Sequence, residues 1–199
     1  VDKVILLFST PLQQTKLSVS QSVLQFIKSQ KFKRHSNGYM THESILECPE
    51  MEIVKSFITN KVKSYLYDTC CISNTMIPEL VTSWVNLHRK DDFAHIHTHA
   101  NSIVSGVWYL STTENSGSVL VHTDNKLFGN VLDFPRKDNL FNSNDCAFLP
   151  QNGDLILFPS NLKHSVAPNK SDKERLSLAF NYMLRGDLIS GLPGNTVKL

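Results

Sequence analysis

Long apolar runs are missing from this chain. The longest near its start, Val4 to Phe8, is five residues, against roughly 7–15 for a secretory core and ~20 for a membrane span. The expectation is a cytoplasmic protein with no signal peptide and no membrane partner. The opening Val in place of Met suggests trimming. Cysteine is scarce: Cys48, Cys70, Cys71 and Cys146 form no CxxC pair, which argues against a zinc ribbon or a thioredoxin motif. Four reduced thiols fit the same compartment. Charge of one sign is lacking too, with 20 Lys and Arg against 18 Asp and Glu, a net of +2. That balance gives no pull toward nucleic acid. Eight Gly and eight Pro exclude collagen-like or low-complexity architecture. No GxSxG occurs, so a hydrolase nucleophile elbow is absent.

What is present is an ordinary globular composition, 41% hydrophobic over 199 residues, enough for one domain with its own core. Val4–Phe8 reads as a short buried strand. Leu17 to Gln30 carries a helical stripe at Val19, Val23, Leu24, Phe26 and Ile27. Lys31–His35 reads as a basic, solvated loop. Glu50 to Cys70 is the strongest helix, with Met51, Val54, Phe57, Ile58, Val62, Tyr65 and Leu66 on one face and Pro49 at its start. After residue 75 the texture changes to short β-rich runs: Leu80–Leu87, Ile103–Leu110, Val119–His122, Asp154–Phe158 and Leu176–Met183. Turn residues separate them, as in a sandwich, jelly roll or barrel. The expected architecture is mainly β. Residues 1–75 form a helical support packed outside, 76–185 the β core and 186–199 a tail.

Eight histidines are the unusual feature, and His95-Ile-His97-Thr-His99 is the densest cluster. On a strand, side chains two apart share a face. His95 and His99 would lie ~13 Å apart on an extended strand, too far for one ion, whereas neighbouring pairs at ~6.6 Å can converge. Either 95/97 or 97/99 is therefore available. His164 follows the Asp154–Phe158 strand and is the candidate third ligand. Such a facial set leaves positions open on a metal. Beyond it, Arg175 and Ser177 share a strand face. An inward guanidinium needs an anion, because an unpaired buried charge is very costly, and Arg suits bidentate capture of a carboxylate. The alternative is an outward Arg175 paired with Glu174.

These stretches together resemble the Fe(II)/2-oxoglutarate-dependent oxygenases, in the branch found in phages and bacteria and related to prolyl hydroxylases. The matching segments are Trp84-Val-Asn86, His97-Thr-His99 followed by Ser105-Gly-Val-Trp-Tyr-Leu110, Gly153–Ser160 with His164, and Glu174–Asn181. The resemblance implies a double-stranded β-helix (jelly roll). It implies Fe(II) held by His97, His99 and His164, with 2-oxoglutarate held by Arg175, Ser177 and Asn86. It also implies dioxygen and an organic or peptidyl substrate, such as a peptidyl proline or a small metabolite, as reaction partners.

The superfamily usually has Asp or Glu where this chain has His99, so a neutral three-histidine set that also suits Zn or Cu takes the place of a charged one. His122-Thr-Asp124 is a literal His-x-Asp competitor, although it follows the Ser105–Leu110 strand that the metal pair should precede. Thr123 to Pro150, with Phe128, Phe134, Phe141 and Phe148, reads as a long binding loop. The rival reading is a non-catalytic cupin-like metal-binding protein, or a phage structural or interaction module.

Overall fold

The computed structural model describes residues 9–42, 44–124, 137, 139, 142–189 and 196–198. The chain opens with strand β1 (Gln13–Lys16) and helix α1 (Gln21–Ser29). Ser20 caps that helix, its hydroxyl accepting from the Val23 amide, a contact whose loss costs about 1 kcal/mol. The helix thus starts later than the stripe from Leu17 suggests. Strands β2 (Lys33–His35) and β3 (Gly38–Met40) form a hairpin. The basic segment read as a loop is in part an exposed edge strand. A 3-10 turn at Pro49–Met51 leads into α2 (Glu52–Ser64), and a single π-type turn, Tyr65–Thr69, ends it.

The remaining strands are β4 (Ile77–His88), β5 (Ala94–His97), β6 (Val104–Ser111), β7 (Val119–His122), β8 (Asp145–Phe148), β9 (Asp154–Pro159), β10 (His164–Val166), β11 (Arg175–Arg185), β12 (Asp187–Ile189) and β13 (Thr196–Lys198). They build a seven-stranded sheet in the order β1-β9-β6-β11-β4-β3-β2 and a four-stranded sheet in the order β5-β10-β7-β8. All pairs in both are antiparallel. This is the jelly roll expected from the resemblance. Strands β12 and β13 pair with each other within the segment read as a tail. Strand β8 lies inside the stretch read as a loop and pairs with β7. Phe128, Phe134 and Phe141 of that stretch fall outside the described residues, as does the Val4–Phe8 strand.

Alternation along the strands separates two cores. Outward from the large sheet point Val85, Leu87, Trp108, Leu155, Leu157, Leu176, Leu178 and Phe180, which meet Ile27 of α1 and Val54, Ile58 and Val62 of α2 in one buried cluster. Inward, between the sheets, a smaller cluster of Tyr109, Val119, Ile156 and Phe158 borders a cavity. Among the described residues no helix is long and apolar enough to cross a membrane.

Candidate metal and cosubstrate site

Strand β5 ends at His97, and pairing with β10 sets His97 directly opposite His164. His99 lies just past the strand, its amide donating to the Ser160 carbonyl at 2.9 Å. The alternation argument thus holds for His95 and His97 but not for His99, which the turn brings round. The ligand nitrogens of His97, His99 and His164 lie within 4.8 Å of one another. The Nε2 atoms of His99 and His164 are 3.4 Å apart, inside the ~4.2 Å that two metal–nitrogen bonds of ~2.1 Å can span. Nδ1–H of His97 donates to the His95 carbonyl at 2.7 Å, and Nδ1–H of His164 donates to the Leu162 carbonyl at 2.9 Å. A carbonyl only accepts, so in both rings the Nε2 lone pair is left for a ligand role. Burial is the main reason that His99 and His164 are both pushed down to about 4. The adjoining imidazoles add to this, while the Leu162 bond opposes it at His164. Three imidazole donors converge, a set suited to iron, zinc, copper or nickel.

His95, His122 and Asp124 stay outside this cluster. His95 is exposed, and its Nε2 meets the Asn37 amide nitrogen at 2.8 Å. His122 alternates with Val121, which lines the cavity, so its ring turns to the other face of the sheet and meets the Ser165 hydroxyl at 2.9 Å. Asp124 is engaged by Lys163 at 2.6 Å.

Arg175 lines the same cavity, about 420 Å3 in volume, as the three imidazoles. Its side chain is inward and only 2% exposed. Glu174, the alternative partner, instead pairs with Arg89 at 3.1 Å. Among the described residues no carboxylate meets the Arg175 guanidinium. Nη1 donates to the Ser116 and Gly117 carbonyls at 3.0 and 3.4 Å, Nη2 donates to Nδ1 of His88, and the buried Nε has no partner. A desolvated cation held by neutral acceptors, with a donor to spare, is a site for an anion. Burial lowers the Arg175 pKa, as expected for a charge with no counter-ion.

Ser177 lines the cavity two residues on, and in register beside it on β6 stands Tyr109. Asn86 lines it from β4, with its Oδ1 accepting from the Trp84 indole at 3.0 Å, so its amide nitrogen is the group left to donate. Sequence reasoning missed Tyr109 and His88. In the sequence Tyr109 reads as part of an apolar strand, although its parity with the cavity-lining Val107 marks it. His88 lies just beyond the β run read as ending at Leu87, but shares the parity of Trp84 and Asn86.

A sequence family described as "Putative 2OG-Fe(II) oxygenase" matches residues 82–181. The chain belongs to the 2OG-Fe(II) oxygenase family. Iron and 2-oxoglutarate are the cofactors of this oxidoreductase family, and the converging imidazoles and the anion-seeking Arg175 fit them. Solved structures share the fold at low identity. A 2OG-Fe(II) oxygenase family oxidoreductase from Burkholderia pseudomallei is 15% identical, with 81% of this chain and 75% of that chain covered and a TM-score of 0.60. A prolyl-4-hydroxylase from Pseudomonas putida is 13% identical, with 89% and 95% covered and a TM-score of 0.57. HygX from Streptomyces hygroscopicus, solved with nickel, 2-oxoglutarate and hygromycin B bound, is 13% identical, with 87% and 83% covered and a TM-score of 0.62. No curated protein matches the chain by sequence.

Proposed function

We propose that this oxygenase is a hydroxylase that holds Fe(II) through His97, His99 and His164 and grips the distal carboxylate of 2-oxoglutarate with Arg175. Together the two cofactors supply dioxygen activation coupled to decarboxylation of the 2-oxo acid to succinate. The protein's part is positional. Arg175 compensates a carboxylate, Ser177 and Tyr109 add hydroxyls beside it, and the Asn86 amide nitrogen donates into the same space. The apolar wall of Val107, Val119, Ile156 and Phe158 excludes water around them.

The observation that carries this reading is the 2%-exposed Arg175, without a carboxylate partner among the described residues, in one cavity with three converging imidazoles. The substrate is a peptidyl side chain such as proline, or a small metabolite. The likeness to a prolyl-4-hydroxylase favours the first and the likeness to a structure holding hygromycin B favours the second. Anaerobic titration of the iron-loaded protein with 2-oxoglutarate tests the site. The expected result is a visible metal-to-ligand absorption band that saturates, and loss of that band in Arg175→Leu. A second reading, a metal-holding module without turnover, rests on one feature: among the described residues no carboxylate stands in the ligand cluster. Absence of the band, with metal still bound, would favour it.

A further inference from the structure

Arg175 offers five N–H donors in a planar fork. What fills them decides where the fork points. The Ser116 and Gly117 carbonyls take Nη1, and His88 takes one N–H of Nη2. Nε–H has no partner among the described residues and Nη2 has a second N–H, so the fork keeps donors for a carboxylate. His88 is thus the only side chain among the described residues that bonds this guanidinium. It is itself buried and clamped. Its carbonyl accepts from the Asn169 side-chain amide at 3.0 Å. Gly38 of β3 lies so close that a Cβ there would sit 2.5 Å from the ring Cδ2 and 2.8 Å from Nε2. A histidine opposite an arginine repels it if protonated. Burial and the Arg175 charge push His88 down to about 3, so it stays a neutral acceptor at working pH.

We infer that His88 is a positioning residue for the cosubstrate: with the two carbonyls it fixes the Arg175 fork so that its remaining donors receive the distal carboxylate of the 2-oxo acid. The inference rests on the cosubstrate reading above. It assigns specificity for a five-carbon diacid to a residue that need not touch the ligand. His88→Leu leaves Arg175 tied through Nη1 alone, so the fork can turn about that anchor and the penalty falls on the distal carboxylate.

The test is calorimetric titration of nickel(II)-loaded protein with 2-oxoglutarate and with 2-oxobutyrate, which keeps the metal-binding head but lacks the distal carboxylate. In His88→Leu, affinity for 2-oxoglutarate is expected to fall about tenfold or more, in line with loss of a hydrogen bond to a charged group, while affinity for 2-oxobutyrate is unchanged. His88→Asn, whose Oδ1 stands near the place of Nδ1, is expected to recover most of the loss. Gly38→Ala, which displaces the ring without removing the acceptor, is expected to weaken 2-oxoglutarate selectively, and it carries the test if His88→Leu does not fold.

Undiminished 2-oxoglutarate affinity in His88→Leu overturns the inference, as does equal weakening of both acids. Where only Gly38→Ala folds, unchanged 2-oxoglutarate affinity overturns it too. If the unaltered protein binds 2-oxobutyrate as tightly as 2-oxoglutarate, or binds neither, the cosubstrate reading itself falls and takes the inference with it.

Discussion

On β11, Leu176, Leu178, Phe180 and Tyr182 alternate with Arg175, Ser177, Ala179 and Asn181. The first set meets the helices and is packed without slack. A Cβ on Gly106 of the neighbouring strand would come within 2.3 Å of the Phe180 ring. The second set faces a sheet of only four strands, and a cavity remains between them. One strand therefore carries both jobs. Its outer face supplies burial, at roughly 25 cal/mol per Å2 of apolar surface. Its inner face carries an uncompensated cation that burial alone would reject. The contrast points to an inner face kept for a ligand: it has its own apolar cluster, but its buried guanidinium leaves a donor without a partner among the described residues.

The largest effect should come from breaking the inner face at its charge. Arg175→Leu removes the anion partner, and 2-oxoglutarate affinity should fall by about two orders of magnitude or more, the scale of losing one member of a buried charge pair. Stability of the ligand-free protein should hold or rise in the same variant, since a buried cation without a counter-ion is gone. Phe180→Ala should do the reverse. It should cost about 3–5 kcal/mol in urea unfolding, with ligand affinity of the folded protein little changed. A large stability loss in Arg175→Leu would mean that the guanidinium is a structural strut and would erase the contrast.

The four-stranded sheet sharpens the comparison at the metal. Both His97 and His164 are hydrogen-bonded from Nδ1, but His164 is buried whereas His97 stands on an exposed edge strand. His164→Ala should weaken nickel binding by more than the about 10–100-fold that loss of an outer partner costs. His97→Ala should weaken it less, because an exposed position admits water as a replacement ligand. Competition with a metal-binding dye reads both.

Much of this arrangement was legible in the sequence, for reasons that differ by element. The strands β6, β9 and β11 show as apolar runs because they are buried on both faces, whereas β4 is exposed at Ile77, Glu79 and Val81 and shows by its alternation. Strands β1, β2 and β5 are short, polar edge strands, and pairing rather than propensity makes them. The helix from Glu50 carries a strong stripe and was read nearly to its ends, while α1 is shorter than its stripe because Ser20 caps it. In the site, His97 and His164 follow from strand position. His99 converges through a turn that alternation cannot describe. The inward face of Arg175 was legible because no local carboxylate suited it, whereas His88 becomes visible only once the fork of Arg175 has coordinates.

Acidity probes the inner face as a whole. His88 is held down at about 3 and His99 and His164 at about 4, against an ordinary 6.5, chiefly by burial. Between pH 6.5 and about 4 the unfolded chain binds protons that the folded chain refuses, so stability is present above that window and is lost as pH falls through it. Each such group contributes a slope of about 1.4 kcal/mol per pH unit. Urea unfolding of metal-free protein at pH 7.5, 6 and 5 should show the decline, and His88→Asn should make it shallower. A flat profile would mean that these imidazoles are hydrated and that the inner face is not the desolvated environment its burial describes.

The smallest effect should come from the outer side of the four-stranded sheet, and it is informative because it is small. His122 and Asp124 make a literal His-x-Asp, yet one meets Ser165 and the other an exposed lysine. The Lys163–Asp124 pair is solvent-screened, so removing it should cost less than about 1 kcal/mol. The double variant His122→Ala with Asp124→Ala should bind nickel and 2-oxoglutarate as the parent does. Loss of metal in this variant, with His99→Ala harmless, would move the centre to the opposite face of that sheet. The cavity with Arg175 would then have no metal beside it. Parity on a single strand, Val121 inward and His122 outward, is what forbids that outcome.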